Sequence, residues 1–322
     1  LWQEDFEDEN EKSCCSFSAV NDAKRVCDIL EIPHYVLNCK AEFRKYVVDD
    51  FINCYKDAKT PNPCVECNRY LKFGEFFRKA EELDCDYIAT GHYAKVEYCE
   101  KYNQYVLKKA TNEKKDQSYF LYKIPREVLN KIIFPLEGYE DKEDIRNIAR
   151  ENNLLVAEKK ESQEVCFIPD NNYVKFIEKY DKLKMKPGNI VDINGNILGK
   201  HNGIIKYTVG QRKGIGISYK EPLYVLKLDK VKNEIIVGTE KDLYTKEVTI
   251  GDINYLVKGI ENKKIEIEAK VRYRSKPAKA ILYPLETGKA KIIFEEAQRA
   301  VTPGQSLVFY DNDIVLGGGK IL

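Results

Sequence analysis

The chain has 322 residues, of which 43% are hydrophobic and 33% charged, a composition typical of a globular protein with a substantial core. No window approaches 18 uninterrupted apolar residues and the first ten residues are rich in acids, so the sequence predicts neither a membrane span nor a signal peptide. The net charge is +1, but residues 183–322 hold 24 Lys and Arg against 16 Asp and Glu, or +8, and residues 1–182 carry −7. A basic second half fits a polyanionic partner and a plain solvated surface equally well.

Ten cysteines lie at positions 14, 15, 27, 39, 54, 64, 67, 85, 99 and 166. A chain of this length does not need a disulfide framework, so we expect reduced thiols and a cytoplasmic protein. Most of these thiols are expected to be inert core residues.

The first half of the chain alternates helical and strand-like patterns. The predicted elements are helices over 19–30, 43–55 and 65–83, strands over 34–38 and 87–90, and further helices near 125–133, 142–153 and 172–180. Such alternation is typical of a parallel α/β sheet. We therefore predict an α/β domain over residues 1–182.

The sequence changes in character from about residue 186. The markers are the turn dipeptides Pro187-Gly188 and Asn194-Gly195 and the short β-rich runs at 223–228 and 234–238. They predict a small, mainly β central domain over residues 183–245. Beyond it, charged and apolar residues alternate, as in 264–273, which predicts an antiparallel barrel or sandwich over residues 246–322.

A Pro-rich segment at 60–63 precedes the motif Cys-Val-Glu-Cys. The prolines predict an extended loop that enters a helix, so that Cys64 and Cys67 fall in or near the first helical turn, where the helix dipole favours the thiolate. Reactive cysteines, cluster ligands, a zinc half-site and inert thiols all remain open. Zinc would need a second nearby pair, and the sequence contains no other C-x-x-C.

Two further segments carry weaker signals. Gly91 and His92 directly follow the predicted strand at 87–90, and ligands bind at the carboxyl ends of parallel strands. Cys166 lies in a short apolar run, where a buried, unreactive thiol is the more frequent outcome.

A basic segment lies at 271–276. Alternation within a strand predicts Arg272, Arg274 and Lys276 on one face, with Tyr273 between them. Such a face suits phosphate contact and base stacking, and it equally suits a solvated strand. The glycine-rich run at 210–216 is basic but does not have the spacing of a phosphate-binding loop.

Seven segments, taken in order, resemble the tRNA-specific 2-thiouridylases (the MnmA/TrmU family). They are T-P-N-P-x-x-x-C-N at 60–68, A-T-G-H-Y-A at 89–94, K-D-Q-S-Y-F-L at 115–121, C-F-I at 166–168, Y-T-V-G-Q-R-K-G-I-G at 207–216, R-Y-R at 272–274 and T-P-G-Q at 302–305. The resemblance implies a Rossmann-like catalytic domain of the ATP-pyrophosphatase type, a small central domain and a C-terminal β-barrel that binds tRNA.

The resemblance also implies a function, a tRNA-uridine 2-sulfurtransferase. ATP, with Mg²⁺, would adenylate the wobble uridine (U34), and cysteine-borne sulfur from a donor protein or sulfide would replace O2. Cys67 resembles the nucleophile and Cys166 the residue that accepts persulfide sulfur, and the two can finish as a disulfide. Gly91 resembles an ATP contact. The residues that resemble tRNA contacts are Asn62, Pro63, Cys64, His92, Lys115, Asp116, Gln117, Arg272, Tyr273, Arg274 and Gln305.

The sequence departs from the family pattern in two places. The S-G-G-x-D-S loop that binds ATP phosphates is not found, and Trp2–Asp5 resembles the segment after the second strand. We therefore expect residues 1–322 alone to lack thiolation activity. Cys64 stands where many members have Asp, which brings into view a [4Fe–4S] cluster held by Cys64, Cys67 and Cys166 with one iron open for hydrosulfide.

Two other functions compete with this one. A non-catalytic RNA-binding protein would use only the basic second half of the chain. A related sulfur-inserting ATP-pyrophosphatase would act on another substrate, but the R-Y-R and T-P-G-Q segments match the thiouridylases specifically.

Overall fold

The computed structural model describes residues 17–154, 156–158, 165–168, 170–181, 185–286 and 288–322. The acidic start of the chain, the Trp2–Asp5 segment and residues 162–164 therefore lie outside the described residues. Among the residues that are described, no helix is long and apolar enough to cross a membrane.

Helices dominate the first half of the chain. They are α1 (Phe17–Ile29), α2 (Lys40–Phe43), α3 (Asp49–Lys56), α4 (Pro63–Cys67), α5 (Phe76–Glu82), α6 (Lys142–Glu151) and α7 (Tyr173–Asp181). A π-helical stretch, Arg44–Val48, joins α2 to α3, and a second one, Asn68–Glu75, joins α4 to α5. The helix predicted over 65–83 is thus confirmed as a continuous helix with a widened middle.

Apolar residues at intervals of four form the centre of a helical core. Phe43, Val47, Phe51 and Tyr55 are all buried, together with Phe167. We call this cluster, which also contains Leu71, Ile168 and Ile177, the helical core. The stripe predicted from Phe43 to Tyr55 is confirmed.

The strand predicted over 34–38 is wrong. The structure forms no strand there, and Tyr35 and Val36 are exposed. A short apolar run becomes a strand only where another strand supplies backbone partners, and none of the described strands pairs with it.

The described residues of the first half form four strands: β1 (Ile88–Ala89), β2 (Lys95–Cys99), β3 (Gln104–Lys108) and β4 (Ile132–Ile133). β1 and β4 pair in parallel, with Ile88 opposite Ile132. The Thr90 amide extends the pairing by donating to the Ile133 carbonyl at 3.2 Å. The predicted parallel sheet is confirmed, and β1 leads directly to Gly91.

A four-stranded sheet forms the middle of the chain. Its strands are β5 (Gly188–Val191), β6 (Ile197–His201), β7 (Tyr224–Asp229) and β8 (Glu234–Gly238). Their order is β6-β5-β8-β7, and only the β5–β8 pair is parallel. The β runs predicted at 223–228 and 234–238 are confirmed.

Six strands form a closed antiparallel barrel at the end of the chain. They are β9 (Tyr244–Tyr255), β10 (Ile265–Lys270), β11 (Ala278–Leu285), β12 (Lys289–Arg299), β13 (Ser306–Asp311) and β14 (Ile314–Ile321). The barrel closes because β13 pairs with both β10 and β14. Alternate side chains such as Ile267, Ala269 and Leu282 fill its interior, so the predicted barrel is confirmed.

The R-Y-R segment does not continue strand β10, and the predicted alternation of its side chains is wrong. β10 ends at Lys270, and the segment that follows is a turn in which the Ser275 amide and hydroxyl both donate to the Arg272 carbonyl, at 3.2 and 2.8 Å. β11 begins only at Ala278, after Pro277. Arg272 and Arg274 therefore do not share a strand face.

The first half of the chain is joined to the barrel in two ways. The β2–β3 hairpin adds to the barrel sheet where Lys108 lies opposite Ile314 of β14. In addition, Val65 of α4 and Tyr119 share one buried cluster with barrel residues such as Val308. We call this cluster the interface core. It places helix α4 directly against the barrel.

Candidate active site

The Pro loop, residues 60–63, leads directly into helix α4. Pro63 lies at the start of the helix, where its ring presets the backbone angle and no needed donor is lost. The Asn62 side chain does not cap the helix, and it lies near the Tyr119 hydroxyl. The loop therefore delivers Cys64 into the first helical turn, as the sequence predicts.

The T-P-G-Q turn of the barrel holds the Pro loop in place. The Gln305 side-chain amide donates to the carbonyl oxygens of Thr60 and Pro61, at 3.3 and 3.0 Å. The Thr60 amide donates in return to the Pro303 carbonyl at 2.9 Å. Gly304 has a φ of +89°, and a Cβ there would lie 2.8 Å from the Thr60 oxygen. The turn thus needs glycine, and Gln305 supports the loop from behind.

The two cysteines of α4 differ in exposure. Cys64 is exposed, whereas Cys67 is half-buried and packs against the helical core. Cys166 packs against the same core, beside Phe167, although it is far away in the sequence. None of the eight described cysteines forms a disulfide. The structure brings Cys67 and Cys166 to one apolar cluster, which is a condition for sulfur exchange between them.

The predicted metal site is not assembled in the part of the chain that the structure describes. No group of three or more His, Cys, Asp or Glu side chains there is placed to hold a metal ion. Cys64 is exposed, while Cys67 and Cys166 lie against the helical core. These positions do not support a cluster held by the three cysteines.

The carboxyl end of β1 is open at Gly91. Gly91 is exposed, and a Cβ on it would meet only the Leu136 side chain, at 3.8 Å. The packing of the protein therefore does not itself require a glycine here. Open backbone at the end of a parallel strand is where α/β sheets bind nucleotides.

His92 lies inside the protein, between Phe73 and Phe134. It is 8% exposed, its Nδ1 lies 2.8 Å from the Thr90 hydroxyl, and its Nε2 lies 3.1 Å from Lys72 Nζ. Burial, helped by Lys72, lowers the pKa of His92 to about 3, so the ring is neutral near pH 7. A neutral ring that accepts from the Lys72 ammonium must carry its proton on Nδ1 and donate it to Thr90.

The K-D-Q segment is locked onto the strand end. The Gln117 side-chain oxygen accepts from the Tyr93 backbone amide at 3.0 Å, and the Gln117 backbone amide donates to the Tyr93 carbonyl at 2.8 Å. Asp116 is 5% exposed and accepts from the Ala110 amide and from the Ser118 amide and hydroxyl. Burial raises the pKa of Asp116 despite these donors.

The tRNA contacts predicted for His92 and Asp116 therefore need revision. Both side chains are buried and their polar atoms already have partners, so in this conformation they support the site and do not face a ligand. Lys115, in the same segment, lies at the surface and is partly exposed.

The three residues of the R-Y-R turn differ in burial. The Arg272 guanidinium is half-buried and donates to the Ala300 carbonyl and, at 3.2 Å, to the Thr302 hydroxyl. The Tyr273 ring packs on Phe120, with ring centroids 4.4 Å apart. Arg274 is exposed. Of the three, Arg274 is the one whose charge the structure presents to solvent.

The sequence patterns did not predict a set of paired charged residues beside the cysteines. Glu66, within the C-x-x-C motif, and Lys123 are buried, and Lys320 on β14 is half-buried. A signal for Lys123 existed, because a lone lysine interrupts the apolar run Tyr119–Ile124. Nothing in the sequence indicated that its partners come from such distant positions.

Three family models match the chain in succession. They are the tRNA methyl transferase HUP domain over residues 1–170, the tRNA methyl transferase PRC-barrel domain over residues 174–239 and the aminomethyltransferase beta-barrel domain over residues 245–321. The first model alone covers more than half of the chain.

The chain is also similar to proteins named tRNA-specific 2-thiouridylase MnmA. The protein of Clostridium beijerinckii is 49% identical over all of this chain and 89% of its own length. Those of Clostridioides difficile and Acetivibrio thermocellus are 46% and 49% identical, over 100% and 97% of this chain and 89% and 86% of their own lengths. With such similarity from end to end, the chain belongs to the family of tRNA-specific 2-thiouridylases.

Proposed function

We propose that this protein catalyses the ATP-dependent transfer of sulfur to the 2-position of the wobble uridine, U34, of tRNA. The observation that carries the proposal is the site built around α4: an exposed Cys64 at the head of the helix, and Cys67 packed against the same core as Cys166. The names of the relatives supply the substrate, tRNA, and the modified position on uridine.

The proposed reaction begins with ATP. The uridine O2 attacks the α-phosphorus and pyrophosphate leaves, so that O2 becomes part of an adenylate leaving group. The open backbone at Gly91 supports a nucleotide at this end of β1, because the glycine is exposed and the Leu136 side chain, at 3.8 Å, is all that a Cβ there would meet.

Sulfur transfer follows through the two cysteines near the helical core. A persulfide on Cys166 attacks C2 of the adenylated uridine and AMP leaves, which gives a mixed disulfide between Cys166 and the base. The Cys67 thiolate attacks the Cys166 sulfur, 2-thiouridine leaves as its thiolate, and a Cys67–Cys166 disulfide remains. Hydrosulfide can open this disulfide and restore the persulfide on Cys166 and the thiol of Cys67, or a donor protein can reload Cys166 after reduction.

The site residues fall into two proposed roles. Asn62, Cys64, Lys115 and Arg274 would meet the tRNA, because they are at least partly exposed. Pro63, also predicted as a tRNA contact, is buried at the start of α4 and would instead hold the Pro loop in place. Buried or engaged residues would hold these contacts in place: His92, Asp116, Gln117, Arg272, Tyr273 and Gln305.

We route no step through an iron–sulfur cluster. The described residues do not fit one, since no metal-holding group is found among them. Anaerobic reconstitution tests this choice directly. The persulfide route predicts no stoichiometric iron in the wild type and substantial thiolation in Cys64→Ala, and iron that disappears in Cys64→Ala would contradict it.

The function is tested with tRNA, ATP, Mg²⁺ and sulfide, using the protein expressed from its complete reading frame. Cys67→Ser and Cys166→Ser should each lower thiolation by about 10³-fold or more while tRNA affinity stays within about twofold. Cys85→Ser, which replaces an exposed cysteine outside the site, is the matched control and should behave as wild type.

The outcome that overturns the proposal is a wild-type protein that binds tRNA but forms no 2-thiouridine. That result would favour the non-catalytic RNA-binding protein.

A further inference from the structure

A cluster of charged side chains joins helix α4 to the barrel. Lys123 Nζ lies 2.9 Å from Glu66 Oε1 and 2.5 Å from Asp252 Oδ2. Lys320 Nζ lies 3.0 Å from the same Glu66 oxygen and 3.3 Å from Asp50 Oδ1. We call these five residues the ion cluster. Its two lysines share one carboxylate, that of Glu66.

The centre of the ion cluster is sealed from water. Glu66 and Lys123 are each 3% exposed, and charges so deeply buried are costly unless they are paired. Arg69 lies one turn after Glu66 and reaches Asp252 at 3.4 Å, so the three anions and three cations balance. Burial opposes the charged form of Lys320, but the neighbouring carboxylates outweigh it and raise the pKa of Lys320.

Glu66 of the ion cluster and Arg69, which pairs with the cluster through Asp252, lie on either side of Cys67 in the sequence. Glu66 directly precedes Cys67 and Arg69 follows two residues later, while their partners Asp252 and Lys320 lie on β9 and β14 of the barrel. The Pro loop ahead of Cys64 is tied to the barrel separately, through Gln305. The start of the helix is therefore held at two points by the barrel.

Buried ion pairs of this kind add little to the stability of a protein, but they fix the position of the elements that they join. Buried pairs can often be replaced by well-packed apolar side chains at little or no cost in stability. The interface core already supplies apolar contact, through residues such as Val65. Apolar contact tolerates small shifts of a helix along its neighbour, whereas the two ion pairs of Glu66, at 2.9 and 3.0 Å, do not. The pairs of Lys123 with Asp252 and of Lys320 with Asp50 fix the two lysines in turn.

We infer that the ion cluster positions Cys67 for in-line attack on the Cys166 sulfur, so that Glu66, Lys123 and Lys320 are positioning residues of the sulfur-transfer step. The inference rests on the proposed function and assigns the barrel a share in catalysis beyond RNA binding. Attack on sulfur is sensitive to alignment, and a misplacement of about 1 Å can cost on the order of 10²-fold in rate.

Substitutions at Lys320 test the inference, because its side chain lies at the edge of the cluster, 25% exposed, and tolerates change better than the buried Lys123. We expect Lys320→Met and Glu66→Gln to lower kcat for thiolation by about 10-fold to 100-fold, with tRNA Kd within about twofold. Lys320→Arg keeps the charge and should retain most of kcat. Lys291→Met breaks an exposed barrel pair with Glu247 and is the matched control, expected to behave as wild type.

A second measurement does not depend on turnover. The rate of alkylation of Cys67, followed by peptide mass spectrometry, is compared with that of the exposed Cys85 in the same molecule. The ratio should change severalfold in Lys320→Met and return toward wild type in Lys320→Arg. If Glu66→Gln does not fold, the Lys320 variants carry the test alone.

Two results overturn the inference. One is a folded Lys320→Met with unchanged kcat and unchanged Cys67 alkylation. The other is a loss of kcat that Lys320→Arg does not restore and that parallels a loss of thermal stability, which shows a structural role. Failure of the proposed function can be told apart from failure of this inference, because wild type would then form no 2-thiouridine. The alkylation ratios would still show whether the ion cluster positions Cys67.

Discussion

The Pro loop and the R-Y-R turn are both held by hydrogen bonds to the barrel, but they differ in which of their residues are exposed to solvent. The Pro loop is held at Thr60 and Pro61 from behind and continues into a helix held by the ion cluster, which leaves Cys64 exposed. The R-Y-R turn is anchored through Arg272 and leaves Arg274 exposed. Within the R-Y-R motif, burial separates the arginine that is bonded to the barrel from the arginine that is open to solvent.

The sharpest way to break this arrangement is to replace the glycine behind the Pro loop. Gly304→Ala places a Cβ 2.8 Å from the Thr60 oxygen at a φ of +89°, and we expect a loss of about 2–4 kcal/mol in the free energy of unfolding. Urea denaturation measures it. Gly259→Ala, at a φ of +83° with nothing within 4 Å, is the matched control and should cost only about 1–2 kcal/mol. Equal losses would mean that the close approach to Thr60 is unimportant.

His92 is a motif residue that is proposed to support the site from inside the protein. Burial and Lys72 lower its pKa from 6.5 to about 3, so between these values the unfolded chain binds the proton and the folded protein does not. The contribution of His92 to the free energy of unfolding is therefore fully present above pH 6.5, and the free energy of unfolding falls by about 1.4 kcal/mol per pH unit below that pH. At pH 5 the loss relative to pH 7 should be about 2 kcal/mol larger in wild type than in His92→Phe. Parallel stability curves for the two proteins would refute the assignment.

Replacing Arg272 and Arg274 one at a time should have different effects on stability and on tRNA binding. Arg272→Ala removes the donors to the Ala300 carbonyl and the Thr302 hydroxyl, so we expect a loss of about 1–3 kcal/mol in stability and little change in the salt dependence of tRNA binding. Thermal denaturation and a salt titration of tRNA affinity measure the two effects. A normal melting temperature with a reduced salt slope would place Arg272 among the RNA contacts.

Arg274→Ala is expected to have the smallest effect of the four. Because Arg274 is exposed, its loss should leave the free energy of unfolding within about 0.5 kcal/mol of wild type. The slope of log affinity against log salt should fall by about 0.7–0.9, the contribution of one phosphate contact. An unchanged slope would show that this arginine is plain solvated surface.

Sequence patterns predicted the elements whose signals are local. The helix over 65–83 is found as a continuous run from Pro63 to Glu82, because its apolar spacing and leading prolines act within a few residues. The barrel strands were predicted from alternation for the same reason. The failure at 34–38 has a non-local cause, since a strand requires a partner that the sequence pattern does not reveal.

The sequence around the R-Y-R segment does contain local signals for a turn, although alternation predicted a strand. Pro277 cannot donate in a sheet ladder, and Ser275 can capture the backbone of Arg272, so alternation alone was a poor guide to residues 271–276. The roles of the site residues were beyond local reasoning. Gln305 contacts Pro61 across 244 positions and Lys123 contacts Asp252 across 129, and only the folded chain brings these pairs together.

The β2–β3 hairpin has a consequence for how the chain folds during its synthesis. Lys101 meets its partner Asp311 across 210 positions, so at about 5–20 residues per second the ribosome needs roughly 10–40 s to supply the strand on which the hairpin docks. During that wait its edge is unpaired, and lysines such as Lys95 and Lys108 are the kind of charge that discourages association between nascent chains. We expect ribosome-bound chains that end at residue 243 to be cut by trypsin at Lys101, and completed chains to resist. Protection that already exists at residue 243 would mean that the hairpin docks elsewhere first.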